Sequence, residues 1–278
     1  RLKKKVMIGM MKGGRKNSYY PFLCLYIDKL NLKTVKGGVA MKSSFVRRMS
    51  LFALLFFSMA DIFAGGTITG IIKYDGKVPR MKALKMAADP ICDSKHKDTP
   101  ARQDWLIVGD NGELKNAFVC IKGDLGSYPA PEEHVVLDQN GCVYAPHVLG
   151  VQVGQIVDIL NTDGTLHNVH AMPKLNAEFN AAMPKFKKKK EVTFTKEEVM
   201  IPIKCDVHPW MRCYVGVVSH PFFDVSGSDG SFEISGLPAG TYTLEVWHEK
   251  LGIKSVSVTV TDDATETVDF TLTRPKKE

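Results

Sequence analysis

Alternating apolar and polar residues in short stretches, separated by turn residues, fill most of this chain. Phe232 and Ile234 share one face of such a stretch, and Tyr242, Leu244 and Val246 continue the period of two. Successive side chains of a strand point to opposite faces, so this period is typical of strands with one buried face. Many strands at this spacing, with no strong helical pattern between them, predict an all-β fold built of antiparallel sandwiches.

A few segments depart from this pattern or leave it ambiguous. The stretch Phe179–Met183 and the acidic pair at Glu197 and Glu198 give weak helical signals. The segment around Pro90 and Cys92 is predicted to be a loop, because proline and lysine interrupt any apolar period there. Residues 105–108 form an apolar run that predicts a strand.

The charge of the chain is unevenly distributed. The formal net charge is +7, but residues 1–64 hold 13 Lys and Arg against 2 Asp and Glu. Subtraction from the totals of 37 and 30 leaves 24 basic and 28 acidic residues, a net charge of −4, for the rest. A basic isoelectric point therefore gives no argument for nucleic-acid binding, and we expect no nucleic-acid partner.

Residues 41–64 are predicted to be a secretory signal peptide. Met41 is followed by the positive residues Lys42 and Arg47, by a short apolar region that starts at Leu51, and by Ala64 at the cleavage position. The apolar run is too short for a transmembrane helix, so we expect no stable membrane insertion after cleavage. Residues 1–40 are interpreted as a doubtful upstream extension; the alternative is one long N-terminal segment. Export, to the periplasm or beyond, is the predicted localisation.

Two short segments contain the residue types of a metal centre. The first is His167-Asn168-Val169-His170, and the second is Cys205-Asp206-Val207-His208-Pro209-Trp210-Met211. A type 1 (blue) copper site uses two imidazoles and one thiolate in a near-trigonal plane, with a weak axial thioether. One histidine from an early loop and a later Cys-x2-His-x2-Met loop supply this set in the chain.

The paired segments resemble the cupredoxins, and most closely their amicyanin-type members. That family has a Cys-x2-His-Pro-aromatic-Met loop and an upstream His-Asn-Val-His string whose first histidine binds copper. The resemblance covers roughly residues 130–220 and implies a Greek-key β-sandwich with one type 1 copper ion. The implied ligands are His167, Cys205, His208 and Met211, with Asn168 and Pro209 as their supporting neighbours.

The resemblance also implies a function. A cupredoxin shuttles single electrons by Cu(II)/Cu(I) cycling and is not an enzyme. It implies that the ring edge of His208 lies at the surface as the electron port, and that Asn168 ties its own loop to the loop of Cys205. By analogy, the partner is a redox protein such as a c-type cytochrome or a dehydrogenase.

Other interpretations of the same residues stay open at this stage. Zinc accepts cysteine and histidine ligands, and only Met211 argues against it. Met211 itself fits core packing, and Cys205 fits a disulfide with Cys213 or Cys142. At the level of function, the alternatives are a copper-delivery protein, in which the ion is cargo, and a structural β-sandwich binding protein with a non-redox metal site.

The remaining cysteines suit an exported protein but do not define their own pairing. Cys92 and Cys142 are candidates for a disulfide in an oxidising compartment. Cys120 and Cys213 have no assigned role, and spacing alone cannot fix the connectivity of these four residues.

The C-terminal part of the chain has a second resemblance. The turn at Asp229 and Gly230, and the Leu237-Pro238-Ala239-Gly240 segment with the strand after it, resemble carboxypeptidase regulatory-like domains. These are transthyretin-like (prealbumin-like) β-sandwiches. We therefore predict that residues 66–129 and 221–274 form this sandwich and that the copper unit, 130–220, is inserted in it. Two sandwiches in series are the alternative.

Overall fold

The computed structural model describes residues 65–275, which contain seventeen strands and one short helix. The elements are β1 Gly66–Tyr74, α1 Pro90–Lys95, β2 Phe118–Lys122, β3 Val135–Asn140, β4 Val143–Ala145, β5 Val148–Gln152, β6 Ile156–Asn161, β7 His167–Ala171, β8 Phe179–Met183, β9 Lys189–Thr193, β10 Glu198–Lys204, β11 Arg212–Val218, β12 Phe223–Val225, β13 Ser231–Leu237, β14 Gly240–His248, β15 Gly252–Val260, β16 Thr265–Thr267 and β17 Phe270–Leu272. The predicted all-β fold class is confirmed.

The strands form four sheets in the described part of the chain. Two of them use only strands from the middle: β5-β11-β10-β7-β8 in one sheet and β4-β3-β6-β9 in the other. The third has the order β12-β2-β14-β15, and the fourth has β13-β1-β16, with β17 also paired to β1.

The first two strands pair with strands from the end of the chain. β1 runs antiparallel to β13 and parallel to β16 and β17. β2 lies between β12 and β14, both antiparallel to it. An inserted middle unit requires pairing of this kind, because the sequence before the insertion must meet the sequence after it. The predicted domain boundaries at 66–129, 130–220 and 221–274 stay a prediction.

Two separate apolar cores correspond to these two sets of sheets. One core joins early and late strands through side chains such as Ile72, Val119, Leu244 and Phe270. The other lies among the middle strands and includes Cys205 and Met211. A smaller cluster around Phe118 and Met200 contains residues from both sets. The middle sheets therefore have a core of their own, and candidate ligand residues lie inside it.

The helical signal predicted near Phe179 is wrong. Phe179–Met183 is strand β8, which pairs with β7 along its whole length, and Glu198 begins strand β10. The side chain of Met183 is fully buried, whereas Asn180 and Ala182 are exposed. The alternation typical of a strand is present, but small and polar residues make it weak in the sequence.

The loop predicted around Pro90 contains a helix of six residues. Asp89 is its N-cap and accepts hydrogen bonds from the backbone N–H groups of Ile91 and Cys92 at 2.8 and 3.1 Å. Pro90 at the first helical position is compatible with a helix start, because that position needs no N–H donor. The strand predicted at residues 105–108 is reduced to one isolated bridge between Val108 and Leu114.

The predicted extension at 1–40 and the predicted signal peptide at 41–64 lie outside the described residues. Within residues 65–275, no helix has the length and apolar character to cross a membrane.

Candidate metal centre

Adjacent strands of the five-stranded sheet bring the two predicted segments together. His167 is the first residue of β7, and the loop between β10 and β11 carries Cys205, His208 and Met211. β10 pairs with both β7 and β11, so the start of β7 and the loop after β10 lie side by side. Residues 37 or more positions apart in sequence therefore meet at one end of this sheet.

Three of the predicted ligands converge there. The Nδ1 atoms of His167 and His208 are 2.9 Å apart, and Cys205 Sγ lies 3.9 Å from His208 Nδ1. One ligand atom from each of the three residues lies within 4.8 Å of the others. All three side chains are buried, with 0% exposure for His167, 2% for Cys205 and 3% for His208.

The outward-facing nitrogens of both imidazoles contact carboxylates. His167 Nε2 lies 2.9 Å from Asp163 Oδ2, and His208 Nε2 lies 3.1 Å from Asp89 Oδ2. A carboxylate accepts hydrogen bonds, so each Nε2 carries the proton in this arrangement. In the neutral ring the other nitrogen, Nδ1, then holds a lone pair. The two Nδ1 atoms lie next to each other, and that of His208 lies beside the sulfur of Cys205.

Asp163 is held by several groups at once. Its carboxylate accepts hydrogen bonds from Lys95 Nζ at 2.6 Å and from the backbone N–H groups of Gly141 and Cys142 at 2.7 Å each, besides the contact to His167. Burial by itself raises the pKa of Asp163, but these hydrogen bonds outweigh burial and lower it far below its ordinary value. The residue is therefore a fixed negative charge behind His167.

Asp89 has a similar role behind His208. Its second carboxylate oxygen, Oδ2, also accepts a hydrogen bond from Thr165 Oγ1 at 3.0 Å, while Oδ1 caps helix α1. Burial raises the pKa of Asp89, but the hydrogen bonds from the helix start, Thr165 and His208 together lower it. Both imidazoles are thus oriented by ionised carboxylates, an arrangement common around metal-binding histidines.

The sulfur of Cys205 lies among hydrogen-bond donors. The backbone N–H groups of Asn168 and His208 each point at Sγ from 3.4 Å. Burial raises the pKa of the Cys205 thiol, but interactions with the His167 imidazole and with backbone N–H groups outweigh burial and lower it. The thiolate is the form that binds metal ions.

Cys213 provides an internal comparison with Cys205. It is also buried and lies two strand positions into β11, with the same apolar core around it. Burial raises its pKa well above the ordinary value, since no hydrogen-bond donor opposes burial there. The two thiols therefore have opposite pKa shifts within one core.

The backbone of Met211 closes the ligand loop. Its N–H donates to His208 O at 2.9 Å, and its C=O accepts from the N–H of Cys205 at 3.1 Å. Its side chain is fully buried, in the same core cluster as Cys205. Pro209 is exposed and lines a cavity of about 350 Å³ on the outer side of the loop.

Asn168 connects the two segments. Its N–H points at Cys205 Sγ, and its side-chain carbonyl accepts a hydrogen bond from the N–H of Asp206 at 2.5 Å. Its amide nitrogen donates to Asn180 on β8 at 2.5 Å. His170, the second histidine of the string, contacts Asp206 and Glu178 instead of the other imidazoles.

The donor set fits a copper ion of type 1. Two imidazole nitrogens and the sulfur of Cys205 lie within 4.8 Å of one another, and two ionised carboxylates lie behind the imidazoles; Lys95 is the ammonium group in contact with one of them. Such a group of donors is stabilised by a cation between them. Two histidines and one cysteine with a buried methionine on the same loop match the ligand types of a blue-copper site.

The expected exposure of His208 is wrong. Its ring is covered by Asp89, by Cys92, whose Sγ lies 3.8 Å from His208 Nε2, and by Trp210, whose ring centroid lies 5.0 Å away. Asp89 and Cys92 belong to a segment that precedes the middle sheets by more than forty residues. Because these covering residues are so distant in sequence, the local sequence around His208 does not reveal that its ring is buried.

The cysteines divide between one disulfide and three thiols. Cys92 and Cys142 form a disulfide, whereas Cys120, Cys205 and Cys213 are free within the described residues. Cys205 is thus available as a ligand. The groupings of Cys92 with Asp89 and of Cys142 with Asp163 are no metal sites of their own, because disulfide sulfurs are not thiolates.

Sequence reasoning missed the carboxylates and the ammonium group around the site: Asp89, Asp163 and Lys95. Two signals existed. Asp89 followed by Pro90 is a helix-start pattern, and Asp163 stands four residues before His167, just upstream of the first ligand segment. Neither signal shows which histidine the carboxylate contacts, so the roles of Asp89 and Asp163 become clear only from the tertiary contacts.

Comparisons with known proteins find likenesses in two parts of the chain. The model of the carboxypeptidase regulatory-like domain family matches residues 221–273. Among solved structures, the Cu(I) form of an amicyanin variant is similar at 27% identity, with a TM-score of 0.28, over 36% of this chain and 97% of that one. A copper-containing nitrite reductase from Thermus scotoductus SA-01 is similar at 21% identity, with a TM-score of 0.27, over 35% of this chain and 25% of that one. No curated protein matches the chain.

Proposed function

We propose that this protein is an exported type 1 copper protein that passes single electrons between redox partners. The observation that carries the proposal is the grouping of the two Nδ1 atoms, 2.9 Å apart, beside the Cys205 sulfur, with each Nε2 in contact with a carboxylate. When bound there, copper supplies a reversible one-electron couple. His167, Cys205, His208 and Met211 would hold it.

The protein's own residues favour electron transfer over bond chemistry. The three converging ligands are at most 3% exposed, so water and small substrates are excluded from their donor atoms. The hydrogen bonds to Asp163, Asp89 and Asn168 fix the ligands in place. A rigid, preorganised set of ligands rearranges little when the charge of its ion changes, which favours fast electron exchange.

The same burial favours the carrier over a copper-delivery protein. Delivery requires ligands that an acceptor can reach, and here both imidazoles are buried. A partner for the carrier is a soluble redox protein, such as a c-type cytochrome or a dehydrogenase, that docks near the ligand loop. Residues 221–273 would support binding or scaffolding, not catalysis.

The test is the visible absorption spectrum of the purified chain after addition of Cu(II). We expect an intense thiolate-to-copper charge-transfer band that is lost completely in Cys205→Ser. Cys213→Ser is the matched control, since it removes an equally buried thiol outside the ligand group and should keep the band. A colourless copper complex of the unaltered chain, or a zinc complex that copper does not displace, would overturn the proposal.

A further inference from the structure

Residues 89–96, which we name the cap, lie directly over His208 and Asp163. The cap consists of Asp89, helix α1 and His96. It comes from the chain before β2, outside the sheets that carry the candidate ligands. Its contacts with the ligand region are therefore tertiary. They reach His208 directly and His167 only through Asp163.

Four separate contacts hold the cap in place. The disulfide joins Cys92 to Cys142, and His96 Nε2 lies 2.6 Å from the carbonyl oxygen of Gly141. Lys95 Nζ contacts Asp163 Oδ1 at 2.6 Å. Asp89 contacts the region at the fourth point, through Thr165 and His208. Because these contacts hold the short helix at both ends and in the middle, they fix its position over the candidate metal centre.

The cap closes the face of His208 that would otherwise be open. Asp89 Oδ2 lies 3.1 Å and Cys92 Sγ 3.8 Å from the same atom, His208 Nε2. Trp210 covers another side of the ring and donates its Nε1–H to the carbonyl oxygen of Cys142 at 2.9 Å. The disulfide and the tryptophan thus meet at Cys142, and together they exclude solvent from the ring.

We propose that the cap is a working part of the metal centre: Asp89 is a positioning residue for His208, and the Cys92–Cys142 disulfide keeps external ligands away from that ring. This inference rests on the proposed function for the copper readouts only. It means that a partner exchanges electrons through the covering residues and never contacts His208 directly. It also assigns the disulfide a role in the metal site and not only in fold stability.

The shielding role is tested first on the metal-free chain. Diethyl pyrocarbonate modifies accessible imidazoles, and mass spectrometry locates the modified residues. We expect His208 to stay unmodified while the exposed His134 reacts, and we expect His208 to become reactive in the Cys92→Ser/Cys142→Ser variant. Equal reactivity of His208 and His134 in the disulfide-bonded chain would overturn the shield. This arm is independent of copper, so it decides the cap even if the blue-copper proposal fails.

The positioning role is tested on the copper-loaded chain with Asp89→Asn. Asparagine caps helices as well as aspartate does, so the helix should persist while the negative charge beside His208 is lost. We expect the reduction potential to rise, because a negative charge near the ion stabilises the more highly charged oxidised state. Affinity for copper should fall about tenfold, as for other residues that support a ligand.

Asp93→Asn is the matched control, since Asp93 is an exposed acid in the same helix. It should change neither quantity beyond the small screened effect of a surface charge. If Asp89→Asn leaves both the potential and the affinity at the values of the control, Asp89 is a helix cap alone and the positioning role is refuted. The proposed function would still be supported in that case, provided that the unaltered chain shows the thiolate-to-copper charge-transfer band.

Discussion

The two regions of this molecule bury different kinds of side chain. The core between early and late strands consists of apolar residues, such as Ile72, Leu244 and Phe270. The middle region buries a connected set of polar side chains at one end of its core: His167 is hydrogen-bonded to Asp163, and the neighbouring His208 to Asp89.

The two regions also differ in the partners that their buried polar groups bind. Buried polar groups do occur in the outer region, but His220 and Ser226 bond mainly to the backbone, which they help to connect. At the candidate metal centre, hydrogen bonds between side chains fix the Nε2 atom of each imidazole and leave the two Nδ1 atoms beside the Cys205 sulfur. Burying a polar group costs free energy unless that group has a partner. A buried arrangement that leaves metal-binding atoms facing one another without a partner therefore indicates a binding site for an ion.

The largest expected effect is a loss of folding stability after a substitution in the apolar core. Leu244→Ala, in β14, should lower the free energy of unfolding by about 2–5 kcal/mol, because it removes a fully buried side chain and leaves a cavity. The absorption spectrum of the copper-loaded folded fraction should not change. Chemical denaturation measures the first effect. Ile253→Ala, at a side chain that is 61% exposed on the neighbouring strand, is the control and should change stability little.

If Leu244→Ala altered the copper spectrum of the folded protein, the two regions would not be energetically separable. The proposed division of labour between an apolar scaffold and a polar site would then fail.

A smaller effect is expected from the polar side. Asp163→Asn removes the charge behind His167 while keeping the shape of the residue, so copper affinity should fall about 10- to 100-fold. Competition with a chelator of known affinity measures this change. Asp262→Asn, at an exposed position remote from the ligands, is the control. Unchanged affinity in Asp163→Asn would show that the carboxylate has no influence on the metal site.

The smallest effect concerns His147, which joins the two regions. Its Nε2 lies 2.6 Å from Glu249 Oε1, and its Nδ1 lies 3.1 Å from Asp104 Oδ2 in an ion-pair contact that is poorly aligned for a hydrogen bond. Burial alone lowers the pKa of His147, but these two carboxylates raise it to about 9. A pKa that is higher in the folded state adds stability below the unfolded value of about 6.5, and the stability is lost as the pH rises through about 9.

We therefore expect the free energy of unfolding to fall by on the order of 2 kcal/mol between about pH 6 and about pH 10. His147→Gln should remove this part of the pH dependence, and His134→Gln, at an exposed histidine, should retain it. Denaturation series at several pH values measure the difference. An identical pH profile in His147→Gln would exclude this ion-pair group as a link between the regions.

The sequence contained enough information for the fold class and for a choice of ligands. The alternation within strands and the turn residues between them depend on local physical chemistry, so both can be recognised in the sequence alone. Weak alternation was misinterpreted at Phe179–Met183, because alanine and asparagine carry little hydrophobic contrast. The helix at Pro90–Lys95 was missed since six residues give too few turns for a period to register.

The sequence alone was enough to name the candidate ligands: Cys205, His208 and Met211 stand on one short loop, and His167 belongs to an upstream segment with a matching pattern. Only the tertiary structure decided the protonation pattern of the imidazoles and the burial of His208. Both depend on Asp89, Asp163 and Cys92, which approach the ligands through folding and not through sequence proximity. Hydrogen bonds and desolvation act over a few ångströms in space, and the separation of two residues along a chain does not encode that distance.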